Sequence, residues 1–316
     1  MRLKFILLTL VIFSCSEENK KLLLPSSSGN LNETSVVLSD DMWNGPVGKA
    51  LKLYFAKPVY GLPQREPTLN LRHIPDQVFT GFATKNRTII KVATAPKANT
   101  KISYNKYASP QLIVEFLGPN EEEIVKLIES ESLKIISKIN DFEVKEKQRR
   151  INKSLSKEKK INQDLNISLN YPSVYRVAFS NKNFSWIRKD TKTGHVNIML
   201  YAIPNKEIYK RNYVQIRDSL SSLYIPGPIE NTYMSVYSGY KIKTSKTTLN
   251  LLNAKEIRGM WEVKNQFMAG PLLGYQIDDT RNDRQVFIDG FVYAPSIRKR
   301  DYIFEIEAII KSVLLN

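Results

Sequence analysis

The stretch Gln111-Leu-Ile-Val-Glu-Phe-Leu-Gly-Pro-Asn-Glu-Glu-Glu-Ile-Val-Lys-Leu-Ile-Glu-Ser130 combines a strand, a break and a helix. Its first six residues are mostly apolar, which is typical of a buried strand. Gly118-Pro-Asn120 ends that strand, and three glutamates follow in the first helical turn, where the helix dipole favours acidic side chains. Gln285–Ser312 has the same order of strand, Ala-Pro, charged helix start and apolar helix. Two similar α+β units are therefore predicted.

The rest of the chain is arranged around these two segments. Each unit is expected to be α+β, with antiparallel sheets packed against helices. Beyond Phe142 the apolar stripe of the first long helix thins while Lys and Arg accumulate, which indicates a solvated basic helical segment that joins the two units. The predicted divisions are a lipoprotein signal peptide (1–15), a polar tether (16–34), the first unit (35–143), the basic helical linker (144–170) and the second unit (171–316).

Composition excludes several classes of protein. The chain has 316 residues, of which 42% are hydrophobic and 25% are charged. These values exclude a wholly disordered chain, a collagen-like repeat and a multispanning membrane protein. Two histidines and one cysteine are too few for a multi-thiolate zinc site, a His-rich metal cage or a disulfide framework, so no cofactor is predicted. The net charge is +16, but the sequence contains no recognised nucleic-acid-binding motif, so no nucleic-acid partner is expected.

The N-terminus has the pattern of an export signal. Arg2 and Lys4 precede the apolar segment Phe5–Phe13, which is shorter than the roughly 20 residues that a membrane-spanning helix needs. Ser14 then precedes Cys15, the single cysteine, as in a bacterial lipobox. Lipidation of Cys15, with palmitate among its acyl chains, would anchor the mature protein to a membrane. The predicted location is the bacterial cell envelope, with the outer membrane favoured and its periplasmic or surface side left open.

Several strings resemble a family of Bacteroidetes lipoproteins catalogued as domain of unknown function 4837. The resemblance implies a lipidated N-terminus and a fold, but it implies no activity and no catalytic residue. The central segment around Lys145–Lys160 departs from the family in being unusually basic. The strings are Asp40-Asp-Met-Trp-Asn-Gly-Pro-Val-Gly48, Gly61-Leu-Pro-Gln-Arg-Glu-Pro67, Trp186-Ile-Arg-Lys-Asp190, Tyr224-Ile-Pro-Gly-Pro228, Glu256-Ile-Arg-Gly-Met-Trp261, Met268-Ala-Gly-Pro271, Gly290-Phe-Val-Tyr-Ala-Pro295 and Lys299-Arg-Asp-Tyr302.

Carboxylates are the remaining route to hydrolytic chemistry, because a Ser/His mechanism or a zinc site needs histidines in suitable positions. Asp289 lies between apolar neighbours in a predicted strand and therefore requires a partner, for which Arg258 is the candidate. The alternative interpretations of Asp289 are a structural ion pair and an outward-facing strand residue. A hydrolase would need two carboxylates facing each other across a cleft.

The tryptophans suggest a binding surface instead. Each of the three tryptophans has a polar residue near it in the sequence, the combination of ring and polar group that a sugar or peptide groove uses. These pairs are Trp43 with Asn44, Trp186 with Arg188, and Trp261 with Glu262. Core packing is the alternative role. Glycines recur between Glu256 and Tyr293, and glycine inside a strand often marks the close approach of a ligand or another backbone. The functional surface is therefore predicted on the second-half sheet, with Trp43 and Asn44 as neighbours.

These observations favour a lipid-anchored envelope protein that acts as a non-catalytic binding or scaffold component. Its expected partners are the membrane, through the N-terminal lipid, and an envelope protein, a glycan or an anionic lipid. The basic linker has two open interpretations, contact with anionic headgroups or a solvated face. The alternative function is a carboxylate-dependent hydrolase that acts on an envelope polymer.

Overall fold

The structure is a computed structural model that describes residues 23–208 and 210–316. The predicted signal peptide, Cys15 and the first part of the predicted tether lie outside the described residues. No helix in the described ranges is both long enough and apolar enough to cross a membrane.

The first unit contains a five-stranded sheet with its long helices on one face. Valine and isoleucine in its central strands, and the apolar face of the proline-initiated helix that starts at Pro46, form the core of this unit. Its elements are β1 (Glu33–Val37), α1 (Asp40–Asn44), α2 (Pro46–Phe55), β2 (Asn70–Ile74), β3 (Thr88–Thr94), β4 (Asn99–Tyr104), β5 (Leu112–Gly118) and α3 (Glu121–Ile151).

The strand order of this first sheet is β2-β1-β3-β5-β4. Neighbouring strands are parallel except for β4, which runs antiparallel to β5 at one edge. The expectation of an antiparallel sheet is therefore wrong for the first unit. The reason lies in the connections, because the chain between β1 and β2 contains α1 and α2, which supply the long crossover that parallel pairing requires.

The second unit is built on an eight-stranded antiparallel sheet with the order β10-β12-β13-β14-β9-β8-β7, while β11 also pairs with β12. Its elements are α4 (Lys160–Leu165), β6 (Ile167–Ser168), β7 (Arg176–Asn181), β8 (Phe184–Thr191), β9 (Gly194–Pro204), α5 (Asn205–Ile208), α6 (Tyr213–Tyr224), β10 (Met234–Val236), β11 (Lys243–Leu249), β12 (Leu252–Val263), β13 (Met268–Asp279), β14 (Arg284–Tyr293), α7 (Arg300–Ile310) and β15 (Leu314–Leu315).

Both faces of the large sheet are covered. Helix α7 packs on one face together with the segment around α4, and α6 packs on the other face. Successive side chains along a strand point to opposite faces and therefore enter two separate cores. The α+β class is confirmed. The two units nevertheless differ in topology, because β5 joins a parallel sheet whereas β14 lies in the middle of an antiparallel one.

The end of the predicted tether is part of the first unit. Ser28 donates its backbone N–H to the carbonyl of Lys85 at 2.9 Å, and Asn32 is buried. The guanidinium of Arg87 donates to the carbonyl of Gly29 at 2.9 Å and also pairs with the buried carboxylate of Glu143 at 3.0 Å. The structure therefore differs from a free tether over residues 26–34, since these backbone groups have partners within the fold.

The segment predicted as a solvated linker at 144–170 also packs on the body. Helix α3 continues to Ile151, which is 4% exposed, and Ile161 and Leu165 of α4 are similarly buried. The many exposed basic side chains make the apolar stripe of this segment hard to recognise in the sequence. That stripe packs against the α7 face of the large sheet. The structure thus departs from the solvated-arm interpretation, because a thin stripe is enough to dock a helix when a second core lies beside it.

Ile151 provides a test of this packing. Ile151→Ala is expected to lower the free energy of unfolding by about 2–4 kcal/mol, since it removes a fully enclosed side chain. The matched variant Leu155→Ala, at a side chain that is 40% exposed, should cost less than about 1 kcal/mol. Urea unfolding followed by circular dichroism measures both. Equal small losses would show that the segment does not dock.

Polar contacts join the two units through α3 and α7. Lys147 pairs with Glu305 at 2.7 Å, and Asn140 donates to Glu307 at 2.8 Å. Glu66, which is 4% exposed, accepts hydrogen bonds from the backbone N–H groups of Lys299 at 2.7 Å and Arg300 at 3.0 Å. A carboxylate from the first unit therefore satisfies the N-terminus of α7, where the helix dipole favours negative charge.

Candidate functional site

Asp289 and Arg258 do not form the predicted pair. Asp289 lies opposite Gly274, whereas Arg258 lies opposite Leu273, so the two side chains differ by one residue in register. Because side chains alternate between the faces of a sheet, Asp289 enters the core under α6 and Arg258 faces α7. The prediction of this ion pair is wrong for that reason.

Asp289 is instead the centre of a closed polar cluster. Its carboxylate accepts hydrogen bonds from Tyr201 Oη at 2.8 Å and Tyr213 Oη at 2.7 Å, and Arg217 Nε lies 3.9 Å away. Burial raises the pKa of Asp289, against the opposing effects of Arg217 and the two hydroxyls. Burial also raises the pKa values of both tyrosines. With Asp289, Tyr201 and Arg217 fully buried, this cluster stabilises the core under α6 and offers a substrate no access.

Arg258 has two carboxylate partners on the opposite face. Its Nε donates to Glu256 at 2.6 Å and its Nη2 lies 3.2 Å from Glu307, while Tyr275 Oη donates to Glu256 at 2.7 Å. Burial favours the neutral form of Glu307, but the charges of Arg258 and Lys311 prevail and hold the Glu307 pKa at about 2. A general acid near neutral pH requires the opposite shift, so this pair is arranged for structure.

The glycines of the second-half sheet make room for the protein's own groups. A Cβ on Gly274 would overlap the Asp289 carboxylate, and one on Gly290 would overlap the side chain of Ile306 in α7. A Cβ on Gly270 would overlap the carbonyl of Val292 and lie 3.0 Å from the indole nitrogen of Trp261. The close approach that glycine indicates is therefore present, but protein atoms make it.

Trp43 and Asn44 are separate from this sheet. Trp43 lies at the end of α1 in the first unit, where its ring stacks on His73 with centroids 4.9 Å apart and Lys52 Nζ lies 4.1 Å from the ring centre. Asn44 is exposed at the last position of α1. Neither is a neighbour of the sites on the second-half sheet, because α1 packs with the helices of the first unit.

Trp261 lines a small cavity, which we call the aromatic pocket. Its volume is about 210 Å³, and all its lining residues belong to the second unit. Glu262, the next residue after Trp261, points to the other face of β12 by strand alternation, so it does not contribute. The lining residues are Trp186, Arg188, His195, Asn197, Ile225, Pro226, Gly227, Pro228, Met234, Trp261, Val263, Met268 and Phe291.

A chain of hydrogen bonds orders one wall of the aromatic pocket. The indole N–H of Trp186 donates to Asn197 Oδ1 at 3.1 Å, and Asn197 Nδ2 lies 2.7 Å from Nδ1 of His195. Since the amide nitrogen is a donor, His195 Nδ1 acts as acceptor and the ring carries its proton on Nε2. Asn197 is fully buried, so the positions of Trp186 and His195 are fixed from below.

Two charged groups lie near the same wall. Arg188 Nε donates to Asp190 at 2.7 Å, and the Arg188 side chain is 28% exposed. Burial, reinforced by the charge of Arg188 and opposed by Asp190, lowers the His195 pKa to about 4. The pocket therefore presents apolar rings, one neutral imidazole and one permanent cation at neutral pH.

The aromatic pocket contains residues that lie outside the binding surface predicted from the sequence. Trp186 and Arg188 belong to the string Trp186–Asp190, so the signal was present, but nothing in the sequence shows that β8 joins the same sheet as the strands that carry Trp261 and Phe291. His195 is half-buried in the pocket wall. No group of three or more His, Cys, Asp or Glu side chains in the described ranges is placed to hold a metal ion.

The family model described as Domain of unknown function (DUF4837) matches residues 154–312, which include the whole aromatic pocket. The chain belongs to the DUF4837 family. A second model, Domain of unknown function (DUF8532), matches residues 27–152, so the DUF4837 region is the second unit and the first unit corresponds to a separate family model. This boundary falls after α3, beyond the predicted end of the first unit at residue 143.

Comparison with solved structures finds a single-substitution mutant of Protein Mog1, with 9% identity, a TM-score of 0.30, and coverage of 47% of this chain and 90% of that one. The Ran-binding protein Mog1p of Saccharomyces cerevisiae has 9% identity and a TM-score of 0.31, with coverage of 47% and 89%. At these TM-scores the likeness bears on neither fold nor function. No curated protein matches the chain in sequence.

Proposed function

We propose that this protein is a lipid-anchored, non-catalytic binding protein of the bacterial cell envelope, and that its aromatic pocket holds an apolar, acid-bearing group of an envelope component. The proposal rests on one observation, which is that five segments far apart in the sequence line the same cavity. The five strings begin at Trp186, Tyr224, Glu256, Met268 and Gly290, and each contributes at least one lining residue.

The chemistry of the aromatic pocket supports this class of ligand. Ligand sites are typically apolar with a few convergent polar groups, and Trp186, Trp261 and Phe291 supply the apolar walls. Arg188 uses Nε for Asp190, so its two Nη groups are available to a ligand, and a carboxylate suits that planar fork. A ligand of about ten heavy atoms fits a cavity of this size and would bind with a Kd of about 0.1–1 mM.

Binding accounts for the geometry better than hydrolysis does. The lining of the aromatic pocket includes no carboxylate, and Asp289 is enclosed by two tyrosines. Glu256 and Glu307 both pair with Arg258, and the low pKa of Glu307 does not suit an acid catalyst. Glu256 and Glu307 line a cavity of about 500 Å³ together with residues of the first unit, and this is the one place where a carboxylate-dependent hydrolase, the second candidate, has two carboxylates beside a cavity among the sites described above.

Phenylacetate is a probe of suitable size and charge for the aromatic pocket. We expect it to quench tryptophan fluorescence saturably, and Arg188→Ala to weaken its binding about ten-fold, because one charge-assisted interaction is lost. Arg176→Ala is the matched control, since Arg176 also pairs with Asp190 and lies opposite Arg188 in the strand register, but it does not line the pocket. Equal affinity in all three proteins would contradict the assignment of Arg188.

The membrane anchor is the second part of the proposal. Cys15, in its lipobox-like context, would carry the acyl chains, and a polar segment would connect them to the folded body. Cys15→Ala should abolish labelling by a palmitate analogue and shift the protein from the membrane fraction to the soluble fraction. Labelling and fractionation after a high-salt wash measure the change, with Cys15→Ser as a second variant. A Cys15→Ala protein that still pellets with membranes would refute the anchor.

A further inference from the structure

A second cavity, larger than the aromatic pocket, lies elsewhere on the same sheet face. Its volume is about 690 Å³, and it lies between β11–β14 and the start of α6. We call it the amide groove because four amide side chains line it. Its lining residues are Ile208, Arg211, Asn212, Tyr213, Lys246, Thr247, Asn253, Ala254, Lys255, Gln276, Asp278, Gln285 and Phe287.

Two lysines of the amide groove face each other. Lys246 of β11 and Lys255 of β12 are directly opposite in the antiparallel register, and both are exposed. Like charges at directly opposite positions destabilise a sheet. Arg211 adds a third positive charge from the loop before α6. Within the described ranges none of the three forms an ion pair, and the one carboxylate of the lining, Asp278, accepts a hydrogen bond from Gln285 instead.

Amide side chains on the neighbouring strands extend the line of side chains that begins with Lys246 and Lys255 across the sheet. Gln276 lies opposite Lys255, and its Nε2 donates to Gln285 Oε1 at 3.2 Å. Gln285 Nε2 in turn donates to Asp278 at 2.9 Å and to Asn205 Oδ1 at 3.2 Å. An amide has two N–H donors and an oxygen with two lone pairs, so Gln276 keeps one N–H and its oxygen for a ligand, while Gln285 keeps one lone pair. The floor of the groove therefore offers donors and acceptors side by side, next to the lysines.

We propose that the amide groove binds an acidic saccharide, with the carboxylates of the sugar between Lys246, Lys255 and Arg211 and its hydroxyls on the amide row. The cations match the acid groups, and paired amide donors and acceptors match hydroxyls, which both donate and accept. The volume falls within the roughly 300–1,000 Å³ of small-ligand sites, enough for a short oligosaccharide. The site is independent of the aromatic pocket, because the two share no lining residue.

The test uses trigalacturonate as the probe, maltotriose as its neutral counterpart and citrate as an anion without a sugar chain. Calorimetry on the mature chain should detect trigalacturonate, with affinity that falls as salt rises, and neither of the other two ligands. Lys246→Gln and Lys255→Gln should each weaken binding about ten-fold. Lys182→Gln is the matched control, since it removes an exposed lysine from the β7–β8 turn.

Two readouts separate this site from folding and from the aromatic pocket. Without ligand, Lys255→Gln should unfold at the same or a slightly higher temperature, because it relieves the repulsion between the lysines. Arg188→Ala should leave trigalacturonate binding unchanged. The proposal is overturned if trigalacturonate does not bind, if citrate or maltotriose binds equally well, or if the two lysine variants behave like Lys182→Gln.

Discussion

Glu66→Ala is expected to lower the melting temperature by about 6–10 °C, which corresponds to a loss of about 3 kcal/mol in the free energy of unfolding. The carboxylate is buried and accepts two backbone N–H groups at the start of α7. Its removal leaves two buried donors without partners and takes a negative charge from the positive end of a helix dipole. Because Glu66 belongs to the first unit, the variant also loosens the joint between the units.

Differential scanning calorimetry measures this effect, and Glu122→Ala is its matched control. Glu122 is also a glutamate near a helix N-terminus, in the first turn of α3, but its side chain is 77% exposed and its pairing with Lys126 is worth little. The control should melt within about 1 °C of the parent protein. Two separate transitions in Glu66→Ala would show that the units come apart, whereas a melting temperature equal to that of the control would contradict the contact.

Gly274→Ala is expected to cost more than about 3 kcal/mol, because the new methyl group has no space. It would overlap the carboxylate of Asp289 and lie 2.9 Å from Tyr213 Oη. Asp289 cannot move away easily, since it is fully buried and accepts hydrogen bonds from two tyrosines. The substitution therefore forces apart a buried polar cluster on which α6 rests.

Gly259→Ala on the neighbouring strand is the control for this prediction. The closest atom that a Cβ there would meet is Cγ1 of the Ile242 side chain at 3.2 Å, so a loss of less than about 1 kcal/mol is expected. Chemical unfolding of both variants gives the comparison. If Gly274→Ala were as stable as Gly259→Ala, Asp289 would have to be free to move, and the account of a closed cluster would be wrong.

The local elements could be predicted because their signals are local. The Gly-Pro break and the acidic first turn place the start of α3, and the apolar run that begins at Gln111 places β5 close to its observed bounds. The parallel pairing of the first sheet was missed although its central strands are buried on both faces and read as continuous apolar runs, which is typical of parallel sheets. The edge strand β4, largely polar and half-exposed, gave little signal.

The candidate site was harder to predict because it depends on which face of the sheet each side chain occupies and on the order of the strands. Asp289 was correctly expected to need a partner, but its observed partners Tyr201 and Tyr213 come from β9 and α6, which are distant in the sequence. Arg258 lies one register position away, and a shift of one residue moves a side chain to the other face. Trp186 enters the aromatic pocket only because β8 and β9 join the second half of the sheet through β14.

The most direct test of the binding account follows the three tryptophan indole N–H signals by NMR while phenylacetate is added. Trp186 and Trp261 line the aromatic pocket, whereas Trp43 lies in the first unit and serves as an internal reference. Trp186→Phe and Trp43→Phe assign the signals. The account predicts that the Trp186 and Trp261 signals shift together and saturate, while that of Trp43 stays in place. Signals that remain unmoved at about 10 mM phenylacetate, ten times the weakest expected Kd, or a Trp43 shift of equal size, would contradict it.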